Sequence, residues 1–447
     1  MGRLFGTDGV RGLANRDLTA EIALDLSVAA AHVLGDVGAF AGHRPVAVVG
    51  RDTRASGEFL EAAVVAGLAS AGVDVILLGV IPTPAVAYLV NLLDADLGVM
   101  LSASHNPMPD NGIKLFSRGG GKLADSIEAA IEARIGEPWT RPTGRGVGRA
   151  INDESATERY LSHLLASVST KLDGISVVVD CANGASSRVA PEALRRAGAK
   201  VIAISDQPDG WNINENCGST HLENLRAKVI ETGADIGIGH DGDADRALAI
   251  DAQGNDIDGD QILTILAMGL KARGALKSNT VVGTVMSNLG FMKAMKAADI
   301  SVITTAVGDR YVLEKMIESD YCLGGEQSGH VILRDFANTG DGILTSLALL
   351  QEMKRQGKSA QELAGAMVRF PQTLINVKNV AKEKLSSSSL IAQAVGQAET
   401  ELGDSGRVLL RASGTEPLIR VMVEASSDSV ASEIAKRLAE VVAQELG

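Results

Sequence analysis

Cysteine is scarce: the 447-residue chain holds three, Cys181, Cys217 and Cys322, and no two are spaced as Cys-x-x-Cys. An odd number of widely separated thiols argues against a disulfide framework or a tetrahedral structural zinc site, and fits a reducing cytoplasm. Aromatic residues are sparse as well, at 3% of the chain, so the cores must be built from Ala, Val, Leu and Ile. No apolar run reaches the roughly 18 residues of a membrane span, and the N-terminus lacks a basic-then-apolar leader. Met1-Gly2 offers a myristoylation start, but Gly6 stands where that motif needs Ser or Thr. Basic charge is in deficit: 42 Lys and Arg against 55 Asp and Glu leave a net charge of −13. Such a balance excludes broad binding to nucleic acid or to an anionic membrane. An anionic substrate would need a local cluster of Arg and Lys inside the acidic shell.

With 45% hydrophobic and 22% charged residues the composition is that of a globular protein. The chain is too long for one core, and an internal repeat divides it. Three segments open with an apolar strand running into a polar loop: Pro45 to Asp52, Ile175 to Asn183 and Thr280 to Asn288. Each continues through a helical stretch to a second strand: Ala71 to Leu77, Ala197 to Ala203 and Ala298 to Thr304. A third strand then delivers a loop containing Ser102, Asp241 to Asp245, or Gly324 to His330 in turn. Near-continuous apolar strands alternating with helices describe α/β units around mostly parallel sheets, whose ligands gather at the strands' carboxyl ends. The expected fold is α/β: three tandem similar α/β domains with mixed, mostly parallel sheets and a smaller C-terminal α+β domain, around a central cleft. The expected spans are 1–150, 151–255, 256–370 and 371–447, with joins near 140–148, Gly254 and Phe370-Pro371. In the last span, Arg407 to Ala412 and Leu418 to Glu424 read as paired strands, followed by a helix capped at Ser427-Asp428. The Ser386 to Ser389 stretch reads as a loop or helix cap.

Ser102 ends an apolar run and is a candidate nucleophile, though Ser, Asn and Pro populate ordinary turns too. Asp241-Gly-Asp-Ala-Asp-Arg246 sets three carboxylates at alternate positions. The EF-hand pattern fails there, because Arg246 occupies the place of its glycine and Ala252 that of its final Glu. Three close carboxylates at a buried strand end repel one another unless a cation is held, and few carboxylates with octahedral geometry suit Mg²⁺. Ser413-Gly414-Thr415, between Arg411 and Arg420, has the hydroxyls, turn amides and guanidiniums of a phosphate cradle; the plain alternative is a hairpin turn. Glu326, with Ser328 and His330 in a glycine-rich loop, has the chemistry to accept from vicinal sugar hydroxyls. Lys114 and His105 flank the serine loop, and Arg11 lies in Phe5-Gly-Thr-Asp-Gly-Val-Arg-Gly12. Taken singly, these residues also fit a metal-dependent phosphatase with a serine intermediate, or a sugar-phosphate sensor without catalysis.

The ordered set Thr-Asp-Gly-x-Arg-Gly, Ser-Ala-Ser-His-Asn-Pro, Asp-Gly-Asp-x-Asp-Arg, Gly-Glu-Gln-Ser-Gly-His and Arg-x-Ser-Gly-Thr-Glu-Pro resembles the α-D-phosphohexomutase superfamily along the whole chain. The opening Gly2 to Gly12, Gln327 and Gly308-Asp-Arg310 carry a narrower likeness to its amino-sugar branch. The phosphomannomutase/phosphoglucomutase relatives commonly place a His near position 309, which is Asp here. The resemblance implies a phosphoryl group carried on Ser102, and Mg²⁺ held by Asp241, Asp243, Asp245 and Ser102. It also implies a sugar grip at Glu326, Gln327, Ser328 and His330, and a phosphate cradle of Arg411, Ser413, Gly414, Thr415 and Arg420. The activity it implies is interconversion of glucosamine 6-phosphate and glucosamine 1-phosphate through a 1,6-bisphosphate that also serves as activator, on the route to UDP-N-acetylglucosamine. Arg246 and Arg11 would then offset phosphoryl charge, and Lys114 would shuttle a proton. A homodimer is a further expectation from the likeness; nucleic acid and membrane are not expected partners.

Overall fold

The computed structural model describes residues 4–6, 8–40, 42–413 and 418–447. The chain packs as two compact units, Met1–Met286 with Ile300–Ala366, and Ser287–Asp299 with Met367–Gly447. Among the described residues no helix is long and apolar enough to cross a membrane.

The first unit holds three sheets. The first contains β1 (Phe5–Gly6), β2 (Gly9–Leu13), β3 (Val46–Arg51), β4 (Asp74–Val80), β5 (Leu97–Leu101), β6 (Asp110–Ser117) and β7 (Ala150–Asn152), in the order β1-β2-β6-β5-β3-β4-β7. The second contains β8 (Ser176–Asp180), β9 (Lys200–Ile204), β10 (Ile236–His240), β11 (Ala247–Asp251) and β12 (Asp256–Ile257), in the order β12-β11-β10-β8-β9. The third contains β13 (Thr280–Thr284), β14 (Ser301–Thr305), β15 (Leu323–Gly325) and β16 (Val331–Leu333), in the order β14-β13-β15-β16.

The same arrangement recurs in each sheet. Three parallel strands lie in the spatial order third, first, second: β5-β3-β4, β10-β8-β9 and β15-β13-β14. An antiparallel strand then returns beside the third: β6, β11 or β16. Helix crossovers cover both faces, so a strand such as Leu97–Leu101 is buried along its whole length and reads as an unbroken apolar run. The first core is aliphatic, with Leu26, Val49, Leu60, Val64 and Val99 enclosed and Phe5 among them. Gly254, read above as a join, lies in the turn between the paired strands β11 and β12, so the second sheet runs on to Ile257. Asp258 then caps the next helix, Gly259–Ala272, in a reciprocal box with Gln261.

The second unit is an antiparallel sheet of β17 (Gln372–Lys378), β18 (Arg407–Ala412) and β19 (Leu418–Glu424), with β19 central. Two helices pack on it, Ser389–Leu402 and Asp428–Leu446, capped by the Ser388 and Ser427 hydroxyls. The serine stretch is thus a helix start. Ile419, Val421 and Val423 face Ile434 and Leu438 in an aliphatic core. β17 is a strand that periodicity did not reveal: it is an edge strand with one buried side chain, Val377.

Candidate active site

The loops after β5, β10 and β15 come together in the first unit. The serine loop, from the end of β5 to the start of β6, is folded around Arg54. This guanidinium has no exposed surface, and it donates to Asp52 (Nε, 3.0 Å) and to the backbone carbonyls of Ser104, Asn106, Pro107 and Asp110 at 2.6–3.0 Å.

Two hydroxyls lie on this loop, both buried, and their partners tell them apart. Ser102 Oγ donates to Asp52 Oδ2 at 2.6 Å and accepts from the Ser104 amide at 2.9 Å. It is used up in shaping the loop, against a carboxylate that is already paired with Arg54. Ser104 Oγ instead reaches Asp241 Oδ2, 2.5 Å away in the acidic loop, and Ser104 has a left-handed backbone (φ 54°). A non-glycine residue held in that conformation costs about 1 kcal/mol or more and marks a conformation imposed by its surroundings. Where Ser102 was expected as nucleophile and metal neighbour, the hydroxyl facing the carboxylate cluster belongs to Ser104. The motif offers two serines two positions apart, and the direction of the turn decides between them.

Asp241, Asp243 and Asp245 offer carboxylate oxygens within 4.8 Å of one another, all buried. Burial and the repulsion of Asp245 and Asp243 push the Asp241 carboxyl well above its ordinary range. Burial acts the same way on Asp245, but Lys114, His330 and Arg246 outweigh it and hold that carboxyl low. Asp243 Oδ1 and Asp245 Oδ1 are buried without a hydrogen-bond partner. Orphaned oxygens on an all-oxygen, three-carboxylate set suit a hard divalent cation of the Mg²⁺ type. Thr83 fixes Asp243 through its hydroxyl (2.5 Å to Oδ2) and its amide (3.0 Å to the carbonyl).

Cations and carboxylates alternate outward from this cluster. Lys114 Nζ lies 2.8 Å from both Asp243 and Asp8, Lys122 lies 2.6 Å from both Asp8 and Asp309, and His330 Nε2 lies 3.5 Å from Asp309. Although Lys114 is buried, Asp243, Asp8 and Asp245 hold its ammonium far above the usual lysine range. In this setting Lys114 is a counter-cation, and its surroundings do not support the proton-shuttling role expected of it. Arg11 pairs with Asp8 at 2.5 Å and donates to the Ala103 carbonyl at 3.2 Å, so it does border the serine loop. Arg246 stands 3.7 Å from Asp245, and its amide donates to Asp241 at 3.3 Å. His105 is half-buried; burial, then Arg246 and Arg11, lower its tendency to protonate.

In the third loop Glu326 and Gln327 are half-buried and Ser328 is exposed. Glu326 Oε1 accepts from the Gly308 amide at 3.0 Å, and Gln327 donates to Asp258 at 3.3 Å. His330 departs from expectation. It is 2% exposed, its Nε2 accepts from the Gly340 amide at 3.0 Å, and its Nδ1 faces Asp245 at 3.7 Å. The ring braces the metal loop from behind and does not line an open sugar site. In the second unit Arg411 and Arg420 are direct cross-strand partners on β18 and β19, and Lys382 donates to the Ser413 carbonyl at 2.6 Å. Gly414 and Thr415 lie outside the described residues. Asp8, Asp52, Arg54, Thr83, Lys122, Asn214 and Asp309 escaped sequence reasoning as site residues. Only Asp8 and Asp309, beside motif glycines, carried a local signal.

The chain matches models of the phosphoglucomutase/phosphomannomutase family four times: alpha/beta/alpha domain I at residues 2–140, domain II at 158–254, domain III at 258–370 and the C-terminal domain at 374–441. It is 63% identical to a phosphoglucosamine mutase of Streptomyces griseus across the full length of both chains. Among solved structures it is similar to a phosphoglucomutase/phosphomannomutase family protein of Burkholderia thailandensis, with a TM-score of 0.83 at 24% identity over 99% of this chain and 98% of that one. It is also similar to the Aspergillus fumigatus N-acetylphosphoglucosamine mutase in complex with GlcNAc-6P and magnesium, with a TM-score of 0.74 at 18% identity over 99% and 95%. At those identities the two structures speak for the fold.

Proposed function

The chain belongs to the phosphoglucomutase/phosphomannomutase family and is a phosphohexomutase, and from that premise we propose that it interconverts glucosamine 6-phosphate and glucosamine 1-phosphate with Ser104 as phosphoryl carrier. The observation that carries the mechanism is the 2.5 Å approach of Ser104 Oγ to Asp241 inside a buried three-carboxylate cluster. The substrate rests on the 63% full-length identity to a phosphoglucosamine mutase.

In the forward direction the bond from Ser104 Oγ to phosphorus breaks as one forms from phosphorus to the sugar's O1. The O1 proton is released and Oγ ends as a hydroxyl. The 1,6-bisphosphate turns end for end, its 6-phosphoryl group passes to Ser104, and O6 leaves as a hydroxyl. Phosphoryl transfer depends chiefly on in-line positioning and charge stabilisation. Asp241, Asp243 and Asp245 would hold Mg²⁺, which offsets negative charge on the transferring group. Arg11 and Arg246 add positive charge at the serine and metal loops, while Lys114 keeps Asp8 and Asp243 in place. Glu326 and Ser328 accept and donate to ring hydroxyls, and a loop that reads only hydroxyls tolerates both orientations of the bisphosphate. Arg411, Ser413 and Arg420, with Gly414 and Thr415, bind a substrate phosphate. Free glucosamine 1,6-bisphosphate primes an unphosphorylated Ser104. A cytoplasmic homodimer supplying UDP-N-acetylglucosamine for cell-wall precursors completes the reading by family likeness.

Phosphorus NMR of the protein with Mg²⁺, glucosamine 6-phosphate and a trace of the bisphosphate should show glucosamine 1-phosphate. Free phosphate in its place would make the protein a phosphatase, and no reaction would make it a binder. Efficiency with glucosamine 6-phosphate should exceed that with glucose or mannose 6-phosphate by at least about tenfold, or ~1.4 kcal/mol. A better mannose or glucose substrate would overturn the substrate and leave the mechanism. Peptide mapping should place the phosphate on Ser104, and Ser104→Ala should lose turnover; phosphate on Ser102 would reverse the assignment.

A further inference from the structure

We infer that Asn214, on the loop that follows β9, is a positioning residue for the nucleophile: it ties the serine loop to the layer that carries the carboxylate cluster. The inference rests on Ser104 as carrier. Asn214 Nδ2 donates to the Ser104 carbonyl at 2.8 Å and to the Asn106 carbonyl at 3.0 Å. These are two of the four carbonyls that Arg54 grips, at 3.0 and 2.8 Å. Each of the two carbonyls therefore has one donor from its own layer and one from the second. Arg54 folds the loop onto the first layer, whereas Asn214 grips its backbone from the second, from which Asp241, Asp243 and Asp245 project and where Asp241 meets the Ser104 hydroxyl.

The packing around this contact is close. A Cβ on Gly242, in the middle of the acidic motif, would stand 2.6 Å from the Ser104 carbonyl oxygen, 3.0 Å from Asn214 Nδ2 and 2.9 Å from Ile213 Cδ1. Three loops meet there because residue 242 has no side chain. Asn214 is 8% exposed, has a left-handed backbone (φ 59°) and donates its own amide to the Ala182 carbonyl at 2.9 Å, so its side chain is aimed by the backbone of its own layer. The Ser104 carbonyl and Ser104 Oγ sit on one left-handed residue, so orienting the first orients the second toward Asp241. Without the amide the loop stays folded on Arg54, but the hydroxyl loses its register against the cluster. A misplacement of about 1 Å at a reacting atom costs on the order of a hundredfold in rate.

The variants Asn214→Gly and Asn214→Asp test this in the full-length protein. Glycine removes the amide and accepts the left-handed backbone without strain. Aspartate keeps the shape and replaces the donor by an acceptor. Both should lower kcat by about ten- to a hundredfold, leave the KM for glucosamine 6-phosphate within about twofold, and slow single-turnover phosphorylation of Ser104 by the bisphosphate by the same factor as kcat. Wild-type kcat in Asn214→Gly, or a lowered melting temperature with kcat intact, would overturn the inference and make Asn214 a packing residue. Ser104→Ala measured alongside keeps the two readings apart: full turnover there removes the carrier, whatever Asn214 does.

Discussion

Replacing Arg54 by methionine should destabilise the first unit by about 5–7 kcal/mol. The stem volume is kept while all five donated hydrogen bonds go. Asp52, fully buried, would lose its ion-pair partner and keep only the Ser102 hydroxyl and the residue-54 amide, and breaking a buried ion pair from one side costs about 3–5 kcal/mol. The Ser104 and Asn106 carbonyls keep Asn214, whereas those of Pro107 and Asp110 lose the guanidinium, at about 1 kcal/mol each. The sum is a large part of the roughly 5–15 kcal/mol that holds a domain folded. The chain's two tryptophans, Trp139 and Trp211, both lie in the first unit, so urea unfolding followed by tryptophan fluorescence reads that unit alone. Adding Asp52→Asn removes the orphaned charge and should return about 2–3 kcal/mol. A single variant within about 1 kcal/mol of wild type, or a double variant no better than the single, would refute the reasoning. An insoluble Arg54→Met with a folded double variant would be the expected result in its stronger form.

Removing a metal ligand by Asp243→Asn should weaken Mg²⁺ binding by calorimetry at least about tenfold and lower turnover with it, because one of three carboxylates is lost and the Lys114 contact is weakened. Activity that survives exhaustive chelation of the wild type would make the cluster purely structural. Ser427→Ala, which removes the hydroxyl that caps the helix Asp428–Leu446, should cost the second unit about 1 kcal/mol in calorimetry and leave the tryptophan transition of the first unit unmoved.

The repeat was legible in the sequence because strands buried on both faces must be apolar at every position, and Leu97–Leu101 and Ile236–His240 are buried throughout. The carboxylate cluster was legible because its members are neighbours in sequence, and the C-terminal helix because Ser427-Asp428 is a local capping signal. The choice between Ser102 and Ser104 was not legible. It is set by Arg54, 50 residues from Ser104, and by Asn214, 110 residues from it, and neither is marked by its own neighbours. His330 misled for the same reason: a glycine-rich loop advertises access, yet the ring turns inward onto Gly340, where a Cβ would lie 2.5 Å from it. Proton-carrying chemistry was assigned to Lys114 from proximity in sequence, and the two carboxylates that clamp it come from elsewhere in the chain.

The topology explains why these loops form one site. In each layer the third parallel strand ends in a loop that turns back into an antiparallel strand, so all three loops leave equivalent positions. The pairs are then bonded directly: Ser104 to Asp241 between the first and second layers, the Ala247 amide to the Gly329 carbonyl (3.0 Å) between the second and third, and Lys122 to Asp309 between the first and third. Electrostatics decides what this triangle can receive. Asp8, Asp241, Asp243, Asp245, Asp309 and Glu326 face Lys114, Lys122, Arg11, Arg246 and the His330 ring, and the mutual repulsion that pushes the Asp241 carboxyl up is what a bound divalent cation would relieve. A sugar phosphate therefore meets less repulsion from these carboxylates when Mg²⁺ is held. The acidic excess of the whole chain and its affinity for an anionic substrate are reconciled at that one point, where the carboxylates of the second layer meet Lys114 and Arg11 of the first.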